Sequence, residues 1–270
     1  MCPHCRAFIT TSDRVCPYCG ERVGARAVDR QQSGEILGGL IPHAHFTTVL
    51  ILLINAGFYA ATAWYGGSWI NIDGNALRAF GAKDAYDIVL QHEWWRLVTA
   101  GFLHGGLLHI GMNSWVLYDL GAQVEQFFGT PRFLVLYFAG TVGGFWLSLE
   151  LNPQALSIGA SAGLTGLIGA MIAFGVVNRS AVGAQIRNFY VRWVVYILAI
   201  GFIGGFGIDN WAHIGGVIAG FAVGYVAGTP MHSSREREGV WRALAAVCVL
   251  VTVYCFWLVY LHFPAANPVT

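Results

Sequence analysis

Four side chains of this sequence that suit acyl transfer lie in apolar stretches. Ser161 stands among glycine and alanine, His109 and Asn113 are four residues apart and so share a helix face, and His213 opens a further apolar stretch. A serine hydroxyl becomes a good nucleophile when a base such as neutral imidazole takes its proton. An imidazole N–H, an Asn amide and the serine backbone N–H are suitable donors to the oxyanion that forms next. The residue types therefore favour serine-type acyl transfer, provided that the fold brings them together.

Other interpretations of these residues stay open at this point. A serine in a glycine-rich transmembrane helix is commonly a packing residue, and an intramembrane histidine can be a proton relay or a satisfied core group. Metal binding is a further alternative for His92, His104, His109 and His213. It is disfavoured because the outer parts of these stretches hold neither the carboxylates nor the cysteines that usually complete such a site.

The composition requires that these residues belong to a membrane protein. Of the 270 residues, 56% are hydrophobic and 11% are charged, whereas soluble proteins carry about 25% charged residues. So few charges cannot cover a water-exposed surface, which excludes a soluble monomer and a disordered chain. The formal net charge of +1 excludes a strongly basic nucleic-acid binder. We therefore expect the lipid bilayer, and no nucleic acid, among the partners.

Seven apolar stretches are long enough, or nearly so, to cross a bilayer core, which takes about 20 residues. They predict an all-α polytopic membrane protein with helices at about 46–64, 104–122, 132–150, 159–177, 190–206, 211–228 and 241–261. Spans two, four and six run in the same direction, so His109, Ser161 and His213 fall at a similar depth near one membrane face. Glycines repeated along spans four and six predict that these two helices approach closely.

The placement of basic residues predicts the orientation. With the N-terminus inside, twelve arginines face the cytoplasm and three basic residues face outside. Those three, Arg78, Lys83 and Arg96, all lie in the loop 65–103. We expect a cytoplasmic N-terminus, an outside C-terminus and a site near the outer face. Since the same loop is rich in tryptophan and short for a domain, it is predicted to lie against the membrane surface, with Arg96 bonded to backbone carbonyls.

Two Cys-Pro-x-Cys knuckles open the chain and predict a small zinc ribbon in residues 1–24, followed by a linker at 25–45. The predicted ligands of a structural Zn²⁺ are Cys2, Cys5, Cys16 and Cys19. A pair of disulfides is the alternative, but a reducing cytoplasm disfavours it. Four thiolates leave no open position on the metal, so it is expected to take no part in catalysis. Cys248 and Cys255 are predicted to be apolar packing residues of the last helix.

Four motifs, in this order along the chain, resemble those of the rhomboid family of intramembrane serine proteases. They are Trp95-Arg96, the H-x4-H-x3-N segment from His104 to Asn113, Gly159-Ala160-Ser161, and the A-H-x2-G-x3-G segment from Ala212 to Gly220. The resemblance covers about residues 46–228 and implies a six-helix catalytic core there. Residues 229–270 would then add a cytoplasmic loop and a seventh transmembrane helix, as in relatives with a six-plus-one topology.

The resemblance also implies roles for particular residues. Ser161 would be the nucleophile and His213 the general base and then acid, while His109 and Asn113 would form the oxyanion hole with the Ser161 N–H. Structural roles are implied for Trp95, Arg96, His104 and Glu125. Catalysis would need no cofactor, the substrates would be single-span membrane proteins, and the expected location is a prokaryotic cell (inner) membrane.

Two positions depart from the family pattern. Ala162 stands where many relatives have glycine, and Thr165 stands where many have a tyrosine against the base histidine. The chain keeps the serine and the histidine that inactive relatives typically lose, which favours an active enzyme. The alternative is a non-catalytic rhomboid-like binding protein or chaperone for transmembrane clients. Asp209 is predicted to act as a charge at the start of span six rather than as a third catalytic residue.

Overall fold

The computed structural model describes residues 5, 15–20, 22, 46–203, 207–229 and 234–264. The chain divides into two compact units, Met1–Phe46 and Thr47–Thr270. In the first unit, Val15 pairs with Arg22 in an antiparallel bridge, and the Gly20 N–H donates to the Cys16 carbonyl across 2.9 Å. The finer predicted boundaries, at residues 24, 45 and 228, stay predictions.

Helices form most of the described part of the second unit. In chain order they are α1 (Phe46–Gly66), α2 (Gly74–Ala79), α3 (Ala85–Leu90), α4 (Arg96–Thr99), α5 (Leu107–Val116), α6 (Ala122–Leu151), α7 (Ser161–Val177), α8 (Ala181–Ile203), α9 (Asn210–Ala227) and α10 (Arg235–His262). A π-helical turn at Leu117–Gly121 joins α5 to α6. Among the described residues, β pairing is limited to two isolated bridges, so the predicted all-α class is confirmed.

Every predicted span overlaps one of these helices. Within the part of the chain that the structure describes, four helical segments are long and apolar enough to cross a membrane by length and composition: Phe46–Gly66, Leu107–Leu151, Ala181–Ile203 and Glu236–His262. Leu107–Leu151 has 45 residues, which corresponds to about 68 Å, roughly twice the thickness of a bilayer core. It breaks at Gly129, where φ is 76° and ψ is 156°. The break separates the predicted spans 104–122 and 132–150.

Helix α7 is buried along most of its length and packs against α9. Glycines bring their backbones together: a Cβ atom on Gly220 would lie 1.9 Å from the Gly166 carbonyl oxygen, and one on Gly216 would lie 2.3 Å from the Ala162 carbonyl oxygen. Only glycine permits so close an approach. We call this contact of α7 and α9, through Gly166, Gly216 and Gly220, the glycine seam.

The segment 67–106, which we call the first loop, has no core of its own. One group of its apolar side chains packs on α1, and another packs on the helices around α7. The first group contacts Tyr59 and Ala63; the second contacts Phe145, Leu149, Ala162 and Ala212. The loop is therefore part of the bundle rather than an independent domain, as predicted. Its position against the membrane surface stays a prediction.

Candidate active site

Ser161 and His213 meet where α7 and α9 begin. The distance between Ser161 Oγ and His213 Nε2 is 2.9 Å. Ser161 is the first residue of α7, and His213 lies in the first turn of α9. His213 is buried, whereas Ser161 is partly exposed. An imidazole nitrogen this close to a hydroxyl satisfies the distance requirement for a general base.

The glycine seam explains why the two side chains are so close. Ala162 directly follows Ser161, and Gly216 lies three residues after His213. The backbones touch at these two positions, because a Cβ atom on Gly216 would overlap the Ala162 carbonyl oxygen. The small residue that the sequence places beside each reactive residue thus lets the serine and the histidine reach each other.

The second nitrogen of His213 has no hydrogen-bond partner in the described part of the chain. If Nε2 accepts the Ser161 proton, the neutral ring carries its hydrogen on Nδ1. In a Ser-His-Asp triad that hydrogen would be donated to a carboxylate. Asp209, the nearest acid in sequence, directs its carboxylate to other groups. The geometry is therefore that of a two-residue arrangement.

His109 faces the same small space as Ser161. The Gly105 N–H donates to His109 Nδ1 across 3.3 Å, so a neutral ring carries its hydrogen on Nε2. A Cβ atom on Gly159 would lie 2.7 Å from that Nε2 and 3.4 Å from Ser161 Oγ. Because Gly159 has no side chain and adopts a φ of +124°, the space between the imidazole N–H and the serine hydroxyl stays open.

Asn113 lies one turn after His109 on α5 and is buried. Its side-chain amide donates to the His109 carbonyl across 2.9 Å. The predicted helix face is therefore present, but one amide hydrogen is used within the helix. The remaining hydrogen is the one that a substrate oxygen could accept.

Comparison with known proteins identifies the family. The family model described as "Rhomboid domain" matches residues 91–230, more than half of the chain. The chain belongs to the rhomboid family. The predicted resemblance is thereby confirmed, and with it an integral membrane protein.

Several curated rhomboids are similar to this chain. "Rhomboid protease GluP" of Bacillus subtilis (strain 168) is 35% identical over 189 residues, which cover 70% of this chain and 36% of that protein. "RHOMBOID-like protein 6, mitochondrial" of Arabidopsis thaliana is 35% identical over 156 residues, 56% of this chain and 50% of that protein. "Rhomboid-like protease 3" of Toxoplasma gondii is 34% identical over 131 residues, 48% and 50% of the two chains. This rhomboid thus spans about a third to a half of these relatives.

Trp95, Arg96 and Glu125 are three of the predicted structural positions of this rhomboid. Arg96 donates to the carbonyls of Arg78 (2.7 Å) and Ala82 (3.1 Å) within the first loop, and its guanidinium lies 4.8 Å from the ring centroid of Trp95. Glu125 accepts hydrogen bonds from Thr48 (3.3 Å) and Thr130 (2.7 Å), near the break at Gly129. These contacts are of the kind expected of structural positions.

The two departures from the family pattern have local explanations. Ala162 is buried, and its methyl group faces Gly144 of α6, where a Cβ atom would lie only 2.9 Å away. It therefore occupies the helix interface. Thr165 donates to the Ala162 carbonyl across 2.9 Å and lies against Gly216 of α9. Neither side chain replaces a ring against His213.

One polar cluster next to the site was not anticipated from the sequence. Ser148, Asn152 and Ser157 all direct side chains at Asp209, and Lys83 is buried beside the same segment. One signal was available, since Lys83 is the only lysine of the chain. The partners are 52 to 61 residues from Asp209 in sequence, which is why spacing did not reveal them.

The first unit contains a set of sulfur atoms that fits a metal. The Sγ atoms of Cys5, Cys16 and Cys19 all lie within 4.8 Å of one another, and Cys5 and Cys16 are 3.6 Å apart. Thiolates on one tetrahedral Zn²⁺, each at about 2.3 Å, would be separated by similar distances. Cys2, the fourth predicted ligand, lies outside the described residues.

Proposed function

We propose that this rhomboid is an intramembrane serine endopeptidase that hydrolyses peptide bonds in or near transmembrane segments of single-span membrane proteins. The observation that carries the proposal is the 2.9 Å contact between Ser161 Oγ and His213 Nε2, beside an open space faced by His109. The names of two similar relatives, which are called proteases, support it. We further propose that the membrane is a prokaryotic cell membrane, with the N-terminus cytoplasmic and the C-terminus outside.

The chemistry would proceed in two halves. Ser161 Oγ attacks the scissile carbonyl carbon while His213 Nε2 takes the hydroxyl proton. The negative oxygen of the tetrahedral intermediate accepts hydrogen bonds from the Ser161 backbone N–H and from His109 Nε2, with Asn113 as a further donor. His213 then gives its proton to the leaving amine, and an acyl-enzyme remains. Water, deprotonated by His213, attacks the acyl carbon and releases the carboxylic acid together with free Ser161.

Zinc would serve the fold rather than this chemistry. Cys2, Cys5, Cys16 and Cys19 would hold the ion, and a filled shell of four thiolates supplies no site for water or substrate. A bound Zn²⁺ would therefore stabilise the first unit only, and the steps above need none of it.

Two measurements test the proposed function. Purified protein in detergent is treated with a serine-directed fluorophosphonate, and cleavage of a panel of single-span membrane proteins is followed in parallel. The unaltered protein should be labelled once per chain and should cleave at least one reporter. Ser161→Ala should lose both labelling and cleavage, and His213→Ala should lose cleavage. The control is Ser114→Ala, which changes a serine of α5 and should be labelled and cleave like the unaltered protein. A folded, unlabelled and inactive unaltered protein would contradict the proposal and favour a non-catalytic client-binding rhomboid.

A further inference from the structure

Asp209 binds more groups than capping of α9 requires. One carboxylate oxygen accepts from the backbone N–H groups of Trp211 (3.1 Å) and Ala212 (3.3 Å), which is the usual helix cap. The other oxygen accepts from the hydroxyls of Ser157, across 2.7 Å, and Ser148. Burial by itself raises the pKa of the Asp209 carboxyl, but its hydrogen bonds, led by those from Ser148 and Ser157, outweigh burial and hold the pKa below its ordinary value.

The sequence positions of Ser157 and Asp209 relate their hydrogen bond to the proposed catalytic pair. Ser157 lies four residues before Ser161, and Asp209 lies four residues before His213. The bond between Ser157 and Asp209 therefore joins the two chain segments just before each enters its helix. Together with the glycine seam, it fixes α7 and α9 on both sides of the point where the serine meets the histidine.

Lys83 holds the Ser157 side of this connection in place. Its backbone forms a two-way bridge with Ser157, in which each N–H donates to the carbonyl of the other across 3.0 Å. Its ammonium group donates to the carbonyls of Asn152 (2.8 Å) and Ala155 (3.0 Å). The side chain is fully buried. The pKa of Lys83 lies below its ordinary value because burial outweighs the attraction of Asp209 and Asp84.

We propose that Asp209 is a positioning residue, which holds the Ser161 segment against the start of α9 through Ser157 and Ser148 and so sets the spacing of Ser161 and His213. The inference rests on the proposed function. It differs from a triad, because the carboxylate oxygens bind Ser157, Ser148 and the helix N–H groups while His213 Nδ1 is without a partner in the described part of the chain. It also differs from capping alone, because the Ser148 and Ser157 hydroxyls are not part of α9.

The test compares two substitutions that both preserve the cap. Serine, asparagine and aspartate are about equally good at a helix N-cap. In Asp209→Ser the side chain is too short to reach Ser148 and Ser157 as well. In Asp209→Asn the amide oxygen can cap the helix, while the two amide hydrogens can be donated to the two serine hydroxyls. Asp209→Ser therefore removes the negative charge and the hydrogen bonds to Ser148 and Ser157, whereas Asp209→Asn removes the charge and can keep hydrogen bonds to both serines.

We expect Asp209→Ser to lower kcat on the reporter, and the rate of fluorophosphonate labelling, by about 10- to 100-fold, since a small displacement of reacting groups has effects of this size. KM should change less than about twofold, because none of the residues proposed to contact the substrate is changed. Asp209→Asn should recover most of the rate. The matched control is Asp73→Ser, since Asp73 caps α2 in the same way through the N–H groups of Asn75 and Ala76, and its kcat should equal that of the unaltered protein.

A double-mutant comparison provides a second test of the hydrogen bond between Ser157 and Asp209, and it does not depend on substitutions of Asp209 alone. Ser157→Ala should lower kcat by itself but should lower it little further in the Asp209→Ser background, because both changes remove one connection. Unchanged kcat in Asp209→Ser would overturn the inference, and so would equal losses in Asp209→Asn and Asp209→Ser. Failure of the unaltered protein to react or cleave would instead overturn the proposed function itself.

Discussion

At Gly159 the backbone itself forms one wall of the space that His109 and Ser161 face. Its φ of +124° is costly for any residue with a side chain, and its Cβ position lies 2.7 Å from His109 Nε2. In the proposed mechanism, an added methyl group would therefore occupy the space that the substrate oxygen enters.

We predict that Gly159→Ala lowers kcat by at least about 10²-fold, comparable to the loss of an oxyanion donor. The control is Gly111→Ala, on α5, where a new Cβ would meet no atom within 4 Å and activity should be retained. Reporter cleavage by the two purified variants measures the difference. Equal activity would show that the oxygen does not bind at this position.

His109 and Asn113 should contribute unequally to the oxyanion. His109 Nε2 already faces the space, whereas one Asn113 amide hydrogen is bonded to the His109 carbonyl. We predict a loss of about 10²–10³-fold in kcat for His109→Ala and a smaller loss for Asn113→Ala. Steady-state kinetics of both variants on one reporter test the ranking. A larger loss in Asn113→Ala would mean that the amide reorients toward the substrate.

The residue types and their depth in the spans were enough to predict that His109, Ser161 and His213 lie at one level. The sequence also predicted that Asp209 lies at the start of a helix, and in the structure Asp209 caps α9. The polar cluster around Asp209 could not be predicted, because Ser148 and Ser157 look like ordinary polar residues at the end of a span and in a loop. Their meeting depends on how α6 and the segment before α7 pack in three dimensions.

At the scale of elements, Arg96 connects several parts of the first loop. Besides the two carbonyls, it pairs with Glu93 (2.6 Å) and Asp87 (3.2 Å), and Asp87 also pairs with Arg78 (2.6 Å). Arg96 and Asp87 are both buried. Removing a buried partner leaves charges and carbonyls without compensation, which is strongly destabilising.

We predict that Arg96→Ala destabilises the protein by about 3 kcal/mol while the folded fraction keeps its kcat. Thermal unfolding in detergent gives the stability, and kcat per fluorophosphonate-labelled chain gives the chemistry. Arg179→Ala, at an exposed arginine outside the first loop, serves as the control and should change neither. A fully stable but inactive Arg96→Ala protein would contradict a structural role.

The last helix is joined to the bundle by a buried arginine. Arg132, just after the Gly129 break, makes two hydrogen bonds to Glu238 of α10 (2.9 and 2.7 Å) and one to the Ala227 carbonyl at the end of α9 (3.0 Å). Its guanidinium also lies 5.3 Å from the ring centroid of Trp241. Three helices thus share one side chain at the end of the bundle away from Ser161.

We predict that Glu238→Ala speeds amide hydrogen exchange in the first turns of α10, because the start of that helix loses its two-bond connection to Arg132. Glu236→Ala changes an exposed glutamate of the same turn and should leave the exchange unchanged. Exchange is followed by mass spectrometry of peptides that cover residues 235–250. Identical exchange in the two variants would show that apolar packing alone holds α10.

Helix boundaries show where the sequence was less informative. The predicted spans 190–206 and 241–261 correspond to α8 at Ala181–Ile203 and α10 at Arg235–His262. In both cases the helix begins several residues before the predicted apolar span, because a helix continues past the apolar region as long as its backbone bonds are made. Ser234, whose hydroxyl accepts from the Arg237 N–H, marks the start of α10 better than hydrophobicity does.

At the scale of the whole molecule, the first unit should be separable from the chemistry. Three of its thiolates already lie close together, and a closed zinc site has no position for a reactant. We predict that removing residues 1–30 abolishes binding of about one zinc per chain, measured by elemental analysis, and leaves reporter cleavage largely intact. Loss of cleavage by a truncated protein that is still folded would contradict this separation.

The glycine seam has a consequence for thermal motion. Fixing a long side chain at an interface costs up to about 2 kcal/mol of rotamer entropy, whereas glycine has no rotamers to fix. Where α7 and α9 touch through Gly166, Gly216 and Gly220, the contact is made by backbone atoms that have no alternative side-chain arrangements. Warming the protein should therefore change the distance between α7 and α9 little. The separation of Ser161 and His213 should likewise vary little over the temperature range in which the bundle stays folded.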